Sequence, residues 1–247
     1  MTDLEKELEA NFRDFRTDWT AQASANWKQL GFLDFYERSY RRIACLHALK
    51  NELVLPNFTE GSAAFFLEAH NDALVSHVNA SFGAWRTSLN ALRSCIENCL
   101  NSMYYRDHPV ELELWGEGKF RMGFSELLSY AEKQPRLSCF DNTKTGVQFL
   151  REEYATLSRA VHASAVDFGM TDSASSVLLW NTDKARAGMW STRESKTIEG
   201  ICLVFSFMFS DKLTGTQLSN LRGMLRFVLS SSKKAILKKD LKITIPS

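Results

Sequence analysis

Two stretches of this chain, Asn90 to Tyr104 and Val147 to Ala165, repeat apolar residues at helical spacing and carry a polar stripe along the edge of the apolar face. At about 100° per residue, Asn90, Arg93, Glu97, Asn101 and Tyr104 fall within roughly 80° of arc, and Leu89, Leu92, Ile96, Leu100 and Met103 fill the neighbouring arc. On the second stretch Tyr154, Ser158 and His162 recur at every fourth residue, beside Val147, Leu150, Leu157 and Val161. Arg, Glu, Tyr and His side chains at the margin of a core need partners, because leaving them unpaired there costs on the order of several kcal/mol. Two such helices turned toward each other make a polar site.

The rest of the chain supports a helical reading. Only 4 prolines and 12 glycines interrupt 247 residues, and 17 Phe with 6 Trp supply a large core. The expected fold is mainly α, an antiparallel helical bundle forming a single domain, with a short irregular or β insertion near residues 170–190. Further helices are expected over Asp3 to Lys28, with Leu4, Leu8, Phe12, Phe15 and Trp19 on one face, and over Leu33 to Leu49. Pro56 is expected to break the chain before a helix that starts at Thr59 and Glu60 and ends near Ser81. Asp107 is placed to cap a short helix opening at Pro109, and Phe124 to Glu132 reads as another. Pro135 to Thr145 reads as a polar connection, and Val177 to Trp180 as a short strand or buried extended stretch. Ile198 to Phe209 is apolar nearly all round; its length favours a central helix over a buried strand and is too short for a bilayer, which needs ~20 residues. Leu218 to Leu229 closes the helical pattern, and the lysine-rich tail reads as frayed.

Charge and motif content narrow the chemistry. With 30 Lys and Arg against 29 Asp and Glu, no whole-molecule field draws the chain to nucleic acid or an anionic membrane, so such binding must come from a local patch. The 5 cysteines show no zinc-like CxxC pair and read as reduced, buried thiols, Cys95 and Cys99 on the apolar back of the first striped helix. A charged amphipathic helix follows the first methionine directly, with no secretory signal, so a cytoplasmic location is expected. No GxSxG, P-loop, HExxH or dinucleotide fingerprint is present, and neither a cofactor nor a metal site is expected.

Arg93 and Glu97 lie one turn apart and can present an oriented guanidinium and carboxylate to a facing helix. His162 is their natural partner, since an imidazole titrates near neutrality and can take a proton from a hydroxyl. Asn90, Asn101, Tyr104, Tyr154 and Ser158 complete the candidate binding set. Arg159, with Glu152 and Thr156, projects to the outer face. Trp85 and Arg86, together with Trp115, Lys119 and Arg121, form a second candidate, able to stack a base and hold phosphate. The bland alternatives are an ordinary intrahelical ion pair for Arg93 and Glu97, a core histidine for His162, and helix-end packing for the tryptophans.

The runs Arg93-Ser-Cys-Ile-Glu97 and Tyr154-Ala-Thr-Leu-Ser-Arg-Ala-Val-His-Ala-Ser164 resemble the paired core helices of HEPN-like proteins, over roughly residues 63–168. That resemblance implies an antiparallel bundle, frequent dimerisation, and membership of bacterial defence or toxin systems. It also implies metal-independent ribonuclease chemistry through Arg and His, which would give Arg93, Glu97 and His162 catalytic roles. Catalytic members place more residues between Arg and His than the two that separate Arg159 from His162. Arg42 and His47 meet the longer spacing, but lie on an earlier helix about 140° apart, which reads as coincidence. Two functions follow: RNA cleavage or binding, or a non-catalytic subunit that binds a partner protein of the same system. Both imply a homo-oligomer, most simply a dimer, and neither implies a membrane.

Overall fold

The computed structural model describes residues 2–29, 33–161, 171–173, 176–177, 184–215 and 218–246. The chain runs through α1 (Asp3–Gln29), α2 (Leu33–Leu49), a π turn (Lys50–Val54) and the single turn α3 (Leu55–Asn57) into α4 (Glu60–Ser81) and α5 (Trp85–Asp107). Short helices follow, α6 (Pro109–Gly116), α7 (Phe124–Lys133), α8 (Pro135–Ser138) and α9 (Asn142–Thr145), and then α10 (Val147–Val161). A small hairpin of β1 (Thr171–Ser173) and β2 (Ser176–Val177) precedes α11 (Lys184–Met208), α12 (Ser210–Leu213), α13 (Ser219–Leu225) and α14 (Ser231–Leu241). The mainly α bundle is thus observed, and the insertion contains an antiparallel pair in which Thr171 faces Val177 and Ser173 faces Ser176.

Local chemistry sets most of the boundaries. The Thr59 side chain accepts from the Ser62 N–H at the start of α4, and the Glu126 carboxylate accepts from the Gly123 N–H at 2.8 Å at the start of α7. Pro56 does not break the chain where expected. It sits in the first turn of α3, where its missing N–H costs nothing, and the helical path widens through the π turn before Phe58 turns extended. Asp107 does not cap α6 either; His108 holds the cap position, and the Asp107 carboxylate accepts from the Tyr130 hydroxyl instead. Pro135 to Thr145 is two helical turns rather than a bare connection, because the Gln134 side chain accepts from Arg136 N–H and Asp141 from Thr143 N–H. The basic tail is likewise helical: Leu237 is buried, and Lys144 donates to Asp240 at 2.8 Å.

At the centre lies α11, whose residues 197–208 are almost all buried, as expected for a central helix. It contacts α2, α5 and α10, and α4 packs along the length of α5. Two glycines bring α10 and α11 together. A Cβ on Gly200 would lie 2.6 Å from Leu150 Cδ2, and one on Gly146, at φ +91°, would lie 2.8 Å from the Gly200 carbonyl oxygen. Close approach of this pair fixes the depth at which α10 sits against its neighbours. Cys45, Cys95, Cys99 and Cys202 are buried free thiols, whereas Cys139 is exposed, because it falls at the C-terminal end of α8 rather than on a packed face. Among the described residues, no helix is long and apolar enough to cross a membrane.

Candidate functional site

α10 crosses α5 so that four of the expected polar residues meet. The Arg93 guanidinium donates from Nη2 to Glu97 Oε1 at 2.9 Å and to the Tyr154 hydroxyl at 2.6 Å, and from Nε to Ser158 Oγ at 3.2 Å. Tyr154 donates in turn to Glu97 Oε1 at 2.5 Å. The Arg93 guanidinium also lies over the Tyr154 ring, 4.9 Å from its centre, and Phe124 from α7 stacks on that ring. Arg93 and Glu97 keep 26% and 30% of their side-chain exposure, so the cluster opens to solvent. Burial, and then the hydrogen bond to Glu97, push the Tyr154 hydroxyl up from its ordinary pKa, which keeps it a neutral donor. Among the described residues, Arg93 Nη1 makes no hydrogen bond. Three acceptors therefore orient the guanidinium while one edge of its fork stays available.

The remaining stripe residues part company with this cluster. His162 lies outside the described residues. Asn90 is exposed and Asn101 half-buried, and neither side chain makes a hydrogen bond among the described residues. Tyr104 is buried elsewhere. It is eleven residues beyond Arg93, about 16 Å along a helix at 1.5 Å per residue, and stacks on His108 with ring centres 4.1 Å apart and meets Tyr130 edge-on. The stripe is one arc in projection but two sites along the axis.

On the neighbouring turns, a cavity of about 360 Å³ opens between α5, α10 and α11. Arg86, Arg159, Arg186 and Arg193 line it with Trp85 and Trp190. Arg193 pairs with the buried Glu153 at 3.0 Å. Leu89 in its wall is one turn from Arg93, and Thr156 and Arg159 flank Ser158 in sequence. Arg159 is exposed, but with Thr156 it lines this cavity, whereas both were expected on the outer face. The expected grouping of Trp85 and Arg86 with Trp115, Lys119 and Arg121 does not form one site. Trp85 begins α5, whereas Trp115 follows its far end and packs edge-on against Phe65, and Lys119 pairs with Glu117.

A buried ionic cluster escaped the sequence reading. Arg42 on α2 donates from Nε to Glu194 Oε2 on α11 at 2.6 Å, with the two side chains 7% and 0% exposed. Ser39 donates to Glu194 Oε1 at 3.1 Å and lies 3.0 Å from His77 Nδ1. Burial raises the Glu194 pKa, with Arg42 and Ser39 opposing that rise. The only sequence signal was a charged residue on each apolar face: Arg42 between Ser39, Ile43 and Leu46, and Glu194 between Trp190 and Ile198. His47 is exposed while Arg42 is buried, so their spacing was a coincidence. Near the Arg93 cluster, Asn98 donates to Asp72 on α4 at 2.8 Å, and burial lifts the Asp72 carboxyl from 3.8 to about 6.

Comparison of the chain with protein-family models, curated proteins and solved structures finds no match.

Proposed function

We propose that this chain is a HEPN-like helical protein of a defence or toxin-type system that binds RNA along the α5–α10 edge. The observation that carries this reading is the Arg93 guanidinium, held by Glu97, Tyr154 and Ser158 with Nη1 left over. A fork oriented in advance loses little freedom when it meets a phosphate, and charge-assisted contacts of this kind are the strong ones. The arginine-lined cavity on the adjoining turns adds cations beside that fork. Cleavage at this edge needs His162, or another base, within reach of a ribose 2′-hydroxyl, while Arg93 meets the developing phosphate charge.

A second reading is a non-catalytic subunit that binds a partner protein. The closed set of contacts from Arg93 to Glu97, Tyr154 and Ser158 favours it, because those bonds fix the register of α10 on α5. Fluorescence anisotropy with single-stranded RNA, in chelator, separates the two, followed by gel analysis of the RNA. Binding that weakens about tenfold in Arg93→Ala and falls with salt supports the RNA reading. A wild-type protein with no RNA affinity supports the subunit.

A further inference from the structure

The apolar face of α1 meets water over Leu4, Leu8, Phe12 and Phe15. In that order they are 64%, 58%, 59% and 59% exposed, and Trp19 is 42% exposed. Such a stripe on a helix of 27 residues, about 40 Å long at 1.5 Å per residue, marks an interaction surface rather than a packed element. Its spacing says what fits it. Leu4, Leu8, Phe12, Phe15, Trp19 and Ala23 are separated by intervals of 4, 4, 3, 4 and 4 residues, a series that reads the same in both directions about a midpoint between Arg13 and Asp14.

From this symmetry we infer that α1 is a self-association element, pairing antiparallel with α1 of a second copy of this chain. Reversing the helix about that midpoint sets Leu4 against Ala23, Leu8 against Trp19 and Phe12 against Phe15, so a larger side chain meets a smaller one at the outer levels and two rings meet at the central ones. Charge complementarity selects the same orientation. Glu9 and Arg16 each follow a core residue on the same flank, and in the antiparallel pair Glu9 of one copy faces Arg16 of the other, twice. In a parallel pair Arg16 would instead flank Asn11 and find no carboxylate. Six aromatic rings and four leucines from the two copies would withdraw on the order of 1,000 Å² from water, the size at which specific interfaces begin. This interface is independent of RNA binding.

Sedimentation equilibrium of the full chain across the micromolar range tests the inference. Wild type is expected to be a dimer, and Phe12→Glu with Phe15→Glu a monomer with unchanged melting of the bundle, since both rings are exposed. Glu9→Arg and Arg16→Glu should each weaken the dimer by about fivefold, as expected of rim ion pairs, and the two together should restore it. A monomeric wild type overturns the inference, whether or not it floats with anionic vesicles. A dimer that survives the Phe12 and Phe15 changes overturns it by placing the interface elsewhere. Failure of the double charge swap to restore the dimer rules out the antiparallel orientation.

Discussion

The Arg42–Glu194 and Arg93–Glu97 clusters pair the same side chains, and their surroundings give them opposite roles. Arg42 and Glu194 join α2 to α11 out of reach of water, with Ser39 satisfying the second carboxylate oxygen. Arg93 and Glu97 lie on one helix, a quarter to a third exposed, with Tyr154 and Ser158 supplied by α10. A pair that is sealed can only hold its helices in place. A pair that is oriented but still meets solvent can hold its helices and also meet a ligand.

Breaking the sealed pair is expected to have the largest effect. Arg42→Ala strands a buried carboxylate and should cost about 3–5 kcal/mol, read from the midpoint of urea unfolding. Glu194→Gln keeps an acceptor for Arg42 and should cost less, about 1–3 kcal/mol in the same measurement. At the open pair, Arg93→Ala should lower stability by no more than about 1 kcal/mol, because exposed ion pairs contribute little, yet take most of the RNA affinity with it. A stability loss at Arg93 as large as that at Arg42 would erase the contrast.

The smallest expected effect is a change of slope. The folded protein keeps a proton on Asp72 up to about pH 6, whereas the unfolded chain releases it near 3.8. Between those values the native state binds more protons, so stability falls as pH rises through the window. Asp72→Asn should flatten that part of the stability profile while Asn98 still finds an oxygen acceptor. Melting temperatures taken from pH 4 to pH 7 for the two proteins check the sign.

What could be read before the structure was whatever depends on one helix at a time. The bounds of α2, the helical state of the apolar run in α11, and the arc shared by Arg93 and Glu97 all follow from periodicity. The meeting of Arg93 with Tyr154 and Ser158 followed from aligning two polar stripes at a shared core margin. Depth along the axis was not legible. Tyr104 shares the arc of Arg93 but lies about 16 Å further along α5, where it packs on His108 and Tyr130 instead. The Arg42–Glu194 pair spans 152 residues of sequence, and neither residue carries a local sign of the other. Short capped turns such as α8 and α9 hold too few residues for a period to show.

The most direct test is the affinity of Arg93→Ala for single-stranded RNA, measured beside its melting temperature and against wild type. The expected result is a loss of about tenfold or more in affinity, as for a lost charge-assisted phosphate contact, with the melting temperature nearly unchanged. Wild-type and Arg93→Ala proteins that bind RNA equally, or not at all, would contradict it.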